Sequence, residues 1–164
     1  MVSLIKKKNS KLIAHQVISL EIEALKLLKK SLNRNFDKAV NAIVNCQSKI
    51  IFCGVGKSGL IASKIASTMS SVGCPAFSLS ANDCLHGDLG SISTKDLLIL
   101  ISNSGKSKEL LPIIKFANRN KIKIIGIVSE KNSSLYKGSD IQILLPEVKE
   151  AGLGIVPTSS TSVQ

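Results

Sequence analysis

Short aliphatic runs alternate with stretches of helical periodicity from residue 50 onward, and this alternation limits the fold more than any other feature. Four of the runs are clear and a fifth, at 75–79, is weaker; the clear ones lie at 50–53, 97–101, 124–128 and 141–145. Helical patterns separate them, notably at 58–72 and 107–118. Strands that alternate with helices form βαβ units, whose strands are parallel. We therefore predict an α/β fold, a doubly wound five-stranded parallel sheet with helices on both faces.

The first 48 residues carry helical periodicity instead. Apolar residues at helical spacing predict an amphipathic helix from Ser10, and a second helix after Asn35 or Asp37. A chain of 164 residues has the usual size of one domain. We therefore predict that residues 1–48 form a helical segment of the same domain as residues 49–164, which bind the ligand.

The charge balance predicts an anionic ligand. The chain has 22 Lys and Arg against 11 Asp and Glu, a formal net charge of +11. Nucleic acid is one interpretation, but single-strand binders add stacking aromatics to a basic groove, and the one Tyr and four Phe are scattered. A small phosphorylated molecule is favoured, with no nucleic-acid partner. Much of the excess charge also fits an ordinary solvated helix face.

The cysteines and the hydropathy pattern argue against a metal-binding, a membrane-spanning and a secreted protein. The four cysteines form neither a CxxC pair nor a Cys/His cluster, so we predict reduced thiols and no metal site. No apolar stretch approaches the length of a membrane span, and the N-terminus lacks the apolar core of a signal peptide. We predict a cytoplasmic protein that does not bind membranes.

The sequence GVGKSG at 54–59 joins a predicted strand to a predicted helix. It satisfies the GxGxxG dinucleotide pattern, but the acidic residue expected about 20 positions later has only Asp83 as a late candidate. A triphosphate loop needs a glycine where Ile51 stands. What the segment offers is backbone N–H groups, the Ser58 hydroxyl and the Lys57 cation, all suited to an anion. The alternative is a tight turn whose glycines serve packing.

A second polar segment, SNSGKS at 102–107, follows the strand at 97–101. It places the hydroxyls of Ser102, Ser104 and Ser107 before another helix. Ligands of open α/β sheets bind beyond the carboxyl ends of the strands, so the two loops can share one site. Two such loops suit a phosphate monoester. Serine-rich turns are also common helix caps, so each serine alone has a structural alternative.

These motifs, taken with three others, resemble the sugar isomerase (SIS) domain of arabinose 5-phosphate isomerases. In chain order they are GVGKSG at 54–59, HGDLG at 86–90, SNSGKSKE at 102–109, EA at 150–151 and PTSST at 157–161. The resemblance implies a flavodoxin-like sheet and interconversion of D-ribulose 5-phosphate and D-arabinose 5-phosphate through an enediol. It also implies supply of the Kdo sugar of lipopolysaccharide, no redox cofactor, and a homo-oligomer, a tetramer.

The resemblance also implies roles for individual residues. Lys57, Glu109 and Glu150 fall at catalytic positions. The two glutamates are the candidates for acid and base, and Lys57 is expected either to stabilise an oxyanion or to hold the substrate. The predicted substrate-binding residues are Gly56, Ser58, His86, Ser102, Ser104, Ser107, Thr158 and Ser159. Since His15 lies in the first predicted helix, His86 is the one histidine near the predicted site. The structural alternative for His86 is a loop residue whose ring makes hydrogen bonds within the protein. An acid beside a helix start, such as Glu109, is also favoured by the helix dipole alone.

Two departures from the family pattern affect the expected activity. The family's further catalytic histidine and its CBS regulatory modules would lie beyond Gln164, so we expect binding of sugar phosphate with little isomerisation. Residues 152–156 also differ from the usual family sequence, so that loop is expected to have a somewhat different shape. Two other functions stay open, a non-catalytic sugar-phosphate sensor and a dinucleotide-binding enzyme.

Overall fold

The structure, a computed structural model, describes residues 10–152, 154 and 156–164. These residues divide into two compact units. One contains residues 32–145 and Gln164, and the other contains residues 10–31 and 146–163. The helices, in chain order, are α1 (Ser10–Ser31), α2 (Arg34–Val44), α3 (Lys57–Ser71), α4 (Ala81–Cys84), α5 (Leu110–Arg119), α6 (Ser134–Gly138) and α7 (Ser159–Ser162), with a 3-10 helix at Asp88–Ser91.

The unit of residues 32–145 is built on one parallel sheet. Its strands are β1 (Ile50–Gly54), β2 (Ala76–Ser80), β3 (Leu97–Ile101), β4 (Lys123–Val128) and β5 (Ile141–Leu144). They pair in the order β2-β1-β3-β4-β5, and every pair is parallel. The predicted five-stranded parallel sheet is confirmed, including the weak second strand. In this order β2 lies on one side of β1, and β3, β4 and β5 follow on the other side.

Two apolar clusters cover the two faces of the sheet. Because side chains alternate along a strand, Ile51 and Cys53 of β1 belong to one cluster while Ile50 and Phe52 belong to the other. The first cluster includes residues of α4, α5 and α6, and the second includes residues of α2 and α3. Each fully buried Ile or Leu contributes about 1.5 to 3 kcal/mol. The predicted coverage of both faces by helices is confirmed.

Helix α5 begins later than the sequence pattern predicts. We expected a helix from residue 107, but the α-helix starts at Leu110. The Leu110 N–H donates to the Ser107 carbonyl at 3.2 Å, and the Leu111 N–H donates to the Lys108 carbonyl at 3.1 Å. These bonds span three residues rather than four, so a tight turn precedes the helix. Glu109 therefore occupies the cap position instead of the first helical turn.

The other unit joins α1 to the segment 146–163. The Ser159 hydroxyl, in α7, donates to Glu21 Oε1 of α1 at 2.9 Å. Glu21 Oε2 is buried and has no hydrogen-bond partner among the residues that the structure describes. Across residues 10–152, 154 and 156–164, no helix is both long enough and apolar enough to cross a bilayer.

A buried carboxylate ties the amino ends of β1 and β3. Asp96 Oδ2 accepts from Lys49 Nζ at 2.8 Å and from the Ser93 N–H at 2.7 Å, and the Asp96 side chain is 0% exposed. Burial alone would raise the pKa of Asp96, but hydrogen bonds from Lys49, Ser93 and Ser48 outweigh it and lower the pKa to about 2. The ionised form is thus favoured in the folded state.

We expect Asp96→Asn to lower the free energy of unfolding at neutral pH by about 1 to 2 kcal/mol. Because the folded pKa is below the usual 3.8, the stabilisation is present above pH 3.8 and is lost as the pH falls toward about 2. Denaturant unfolding between pH 2 and 7 measures both effects. The exposed Asp37→Asn serves as the control, and an equal pH profile in the two variants would contradict the assignment.

Candidate functional site

Loops that follow β1 and β3 begin side by side at the carboxyl edge of the sheet. In the parallel register Gly54, the last residue of β1, pairs with Ile101, the last residue of β3. β1 and β3 are parallel, but the loops that follow them lead to opposite sides of the sheet. Ligands of doubly wound sheets bind in the crevice at such a point. The two loops predicted to bind an anion therefore lie on either side of the expected crevice.

Glycines shape the first of these loops, residues 54–57. A Cβ added to Gly54 would lie 2.8 Å from the backbone of Ser58, and one added to Gly59 would lie 2.8 Å from the Gly54 carbonyl oxygen. Strand end and helix start are thus in backbone contact. Gly56 has φ +59° with open space around it, which gives the turn its direction. The packing alternative raised for these glycines is correct for Gly54 and Gly59.

The turn places Lys57 as the first residue of α3 and Ser58 as the second. Lys57 is exposed, whereas Ser58 is buried, with 9% exposure. The first N–H groups of a helix have no partner within the helix and carry partial positive charge. This end of α3 suits an anion, and a lysine here gains nothing from the helix dipole.

The second loop, residues 102–107, brings two of the three predicted serines, Ser102 and Ser107, together. Ser102 Oγ accepts the Gly105 N–H at 3.1 Å and lies 3.0 Å from Ser107 Oγ. Ser104 Oγ accepts the Lys106 N–H at 3.3 Å. Ser102 is buried, Ser107 is half-buried and Ser104 is exposed. The hydroxyl proton of Ser104 is consequently available to a bound anion.

Residues that the sequence reasoning missed hold this loop in place. Asn103 accepts twice from Ser129, at its carbonyl from the N–H (2.9 Å) and at Oδ1 from the hydroxyl (2.7 Å). Gly105 has φ +63°, and an added Cβ would lie 2.2 Å from Ser133 Oγ. The Gly105 carbonyl also accepts the Leu135 N–H at 3.0 Å. The glycine between serines could have suggested a positive φ, but nothing local indicates Ser129 or Ser133.

Glu109 and His86 also follow carboxyl ends of strands. Glu109 is half-buried at the cap of α5, and its side chain makes no capping hydrogen bond. His86 is exposed in the segment after β2, with its N–H donating to the Asp83 carbonyl at 2.9 Å. The side chain of Glu109 is thus not used as a hydrogen-bonding helix cap, and its position at the start of α5 also suits the helix dipole.

Glu150 and Thr158 lie in the other unit and bind each other. Glu150 Oε2 accepts the Thr158 N–H at 2.7 Å, the Thr158 hydroxyl at 2.9 Å and the Ser160 N–H at 3.2 Å. Thr158 Oγ1 in turn accepts the N–H groups of Ala151 (2.8 Å) and Gly152 (3.2 Å). Burial alone would raise the pKa of Glu150, but hydrogen bonds from Ser160 and Thr158 outweigh it and lower the pKa below 4.5. Glu150 is therefore a carboxylate at neutral pH.

Comparison with known proteins identifies the family. The model of the SIS domain matches residues 43–164. The chain belongs to the SIS domain family. The identification made from the motifs is confirmed.

Curated relatives of this SIS domain include named isomerases. The arabinose 5-phosphate isomerase KdsD of Yersinia pestis is 41% identical over 148 residues, which cover 90% of this chain and 45% of the relative. KdsD of Francisella tularensis is 41% identical over 153 residues, with 91% and 47% covered. Uncharacterized protein RP505 of Rickettsia prowazekii is 41% identical over 160 residues, with 98% and 50% covered. The chain spans about half the length of the curated relatives it matches.

Solved structures agree with the SIS fold. E. coli CFT073 c3406, solved in complex with arabinose 5-phosphate, has a TM-score of 0.88 and 34% identity, covering 95% of this chain and 85% of that chain. The sugar isomerase domain of the RpiR transcription factor from Sphaerobacter thermophilus has a TM-score of 0.78 at 19% identity, covering 92% and 84%. The second likeness shows the fold alone.

Two of the four thiols of the SIS domain, those of Cys53 and Cys84, are poor nucleophiles. Cys53 and Cys84 are buried, and burial raises the pKa of Cys53 to about 12 and of Cys84 to about 11. A protonated buried thiol is inert in both nucleophilic and redox chemistry. Across the described residues, no three His, Cys, Asp or Glu side chains cluster closely enough to hold a metal ion.

Proposed function

We propose that this SIS domain is the catalytic domain of an isomerase that interconverts D-arabinose 5-phosphate and D-ribulose 5-phosphate. One observation carries the proposal: two loops rich in Gly and Ser begin at the paired carboxyl ends of β1 and β3, with Lys57 at the start of α3 and Glu109 at the cap of α5. Support comes from relatives named arabinose 5-phosphate isomerase at 41% identity. We extend the proposal to the supply of D-arabinose 5-phosphate for Kdo synthesis and to a cytoplasmic location.

In this proposal the two loops hold the phosphate of the substrate. The start of α3 offers backbone N–H groups and the Ser58 hydroxyl, and the second loop offers Ser104 and Ser107. Both loops are ordered by their own hydrogen bonds or close backbone contacts. A phosphate monoester between them would be contacted from two sides, which leaves the sugar carbons toward the mouth of the crevice.

Aldose and ketose interconvert when a proton leaves the carbon beside the carbonyl and another moves between the two oxygens. Glu109 is suited to proton transfer because the residue is half-buried and its side chain makes no capping hydrogen bond. Lys57 supplies the positive charge that stabilises oxygen in the enediol intermediate. The catalytic role of Glu150 and the substrate contacts of Thr158 and Ser159 stay predictions from the family resemblance. The contact of His86 stays a prediction from its place in the sequence near the expected site.

The proposal is tested by measuring binding and turnover separately on this chain. We expect D-arabinose 5-phosphate and D-ribulose 5-phosphate to raise the unfolding temperature. At a ligand concentration of a hundred times Kd, the free energy of unfolding should increase by about 2.7 kcal/mol. NAD, nucleotides and unphosphorylated arabinose are the matched controls. Isomerisation is followed by NMR of the two sugars. Stabilisation by dinucleotides alone would contradict the proposal. Slow turnover agrees with the expectation of little isomerisation, whereas tight binding with no detectable turnover at high protein concentration would favour a sensor domain.

An exposed apolar row on α2 supports self-association. Phe36, Val40 and Val44 recur every four residues and are 44%, 41% and 74% exposed. Residues four apart lie on one face of a helix, so the row is continuous. We therefore propose a homo-oligomer, a tetramer as the family resemblance implies, which sedimentation velocity can measure.

A further inference from the structure

An ion pair connects the second loop to the segment after β4. Lys106, between Gly105 and Ser107, pairs through Nζ with Glu130 Oε2. The two side chains are 62% and 47% exposed. Neither residue has a part in the function proposed above.

Both partners are attached to ordered backbone. The Lys106 N–H donates to Ser104 Oγ at 3.3 Å. The Glu130 carbonyl accepts from the Ser133 hydroxyl at 2.7 Å and from its N–H at 3.3 Å. Ser133 is the residue that packs against Gly105. The lysine therefore rises from the serine loop itself, and the carboxylate comes from a turn packed against that loop.

The exposure of the pair makes it easy to exchange. An ion pair between exposed side chains contributes only about 0 to 1 kcal/mol, because water and salt compete with it. A phosphate monoester carries about two negative charges at neutral pH, against one on a glutamate. A dianion held by the serine loop would thus attract the Lys106 ammonium more strongly than Glu130 does.

We propose that Lys106 determines the affinity of the site for the phosphate of its substrate, and that Glu130 competes with that phosphate for Lys106. Without ligand, the two charges cancel beside the serine loop. When a phosphate monoester binds, Lys106 leaves Glu130 and contacts a phosphate oxygen. The inference rests on the proposed function, since it assigns the second loop to phosphate.

The Lys106–Glu130 pair influences the affinity for the substrate and not the rate of the chemical step. Lys106 contributes no proton to the reaction, and its contact is made equally by aldose and ketose phosphates, whose phosphate groups are the same. Binding that is equal in ground and transition states changes KM and leaves kcat unaltered. A change confined to Kd and KM therefore distinguishes this role from catalysis.

The test compares Lys106→Met, Glu130→Gln and the double variant by calorimetric titration with D-arabinose 5-phosphate, and with inorganic phosphate as a second probe. We expect Lys106→Met to weaken binding of the sugar phosphate about tenfold, the loss of one charge-assisted hydrogen bond. Glu130→Gln should tighten binding about threefold, because the competitor is removed. The double variant should bind like Lys106→Met, since Glu130 acts through Lys106. Added salt should reduce both changes.

Two exposed residues outside the pair provide matched controls for charge. Lys115→Met and Glu23→Gln remove the same charges from α5 and α1, and each should change Kd by less than about twofold. A Kd for Lys106→Met within twofold of the unmutated chain would overturn the inference. So would weaker binding in Glu130→Gln, because the pair would then only support the loop. If the unmutated chain binds neither probe, the proposed function itself fails and the inference fails with it.

Discussion

Replacing Lys57 by alanine is expected to lower the turnover of pentose phosphate about 10²- to 10³-fold, the usual effect of removing a group that stabilises an oxyanion. The free energy of unfolding should stay unchanged or rise slightly. Lys57 is exposed, and a cation in the first turn of a helix is disfavoured by the helix dipole. A loss of turnover in a variant of full stability would separate a chemical role from a structural one.

Turnover and urea unfolding of the Lys57→Ala variant are measured beside those of Lys64→Ala. Lys64 is an exposed lysine of the same helix, and its Nζ donates to Thr68 Oγ1 at 2.9 Å. The control removes the same charge two turns away from the crevice and should leave turnover within about twofold of the unmutated chain. Normal turnover in Lys57→Ala would show that Lys57 is not catalytic.

Replacing Gly105 by alanine should lower the free energy of unfolding by about 3 kcal/mol and abolish tight binding of sugar phosphate. Two costs add up. The residue has φ +63°, which L side chains rarely adopt, and the new Cβ would lie 2.2 Å from Ser133 Oγ and 2.6 Å from Ser133 Cβ. If the loop moves instead of the turn at Ser133, the Gly105 N–H leaves Ser102 Oγ.

Two other glycines separate these costs. Gly73 has φ +85° but no atom within 4 Å of an added Cβ, so Gly73→Ala measures the backbone cost alone. Gly90 has neither feature, so Gly90→Ala should be nearly neutral. Denaturant unfolding of the three variants should rank Gly105→Ala as the most destabilised. Equal losses at Gly73 and Gly105 would mean that the contact with Ser133 costs nothing.

The sheet could be predicted from the sequence because its signal is local. Each central strand is a run of aliphatic residues buried on both faces, as in β3, where all five residues are buried. The edge strand β2 gave a weaker signal, since Ser78 and Ser80 are exposed. The start of α5 was wrong by three residues, because bonds between residues three apart replaced the first helical turn.

The contacts that order the site could not be predicted in this way. Asn103 meets Ser129, and Gly105 meets Ser133, across 26 and 28 residues of chain. The sequence around Ser129 and Ser133 does not predict these contacts, because they form only when β3 and β4 are neighbours in the sheet. The pKa of Glu150 likewise depends on the fold of residues 150–160, where one carboxylate oxygen accepts three hydrogen bonds.

The attachment of the second loop to the segment after β4 has a thermodynamic consequence. Binding usually costs about 0.5 to 1.5 kcal/mol for each side chain that it immobilises. Asn103, Ser102 and Gly105 are already held by partners within the domain, so a ligand has little disorder left to remove from them. The conformational entropy of this loop was lost when the chain folded. The loop is in this sense preorganised, and most of the attraction between its hydroxyl groups and an anion can appear as affinity.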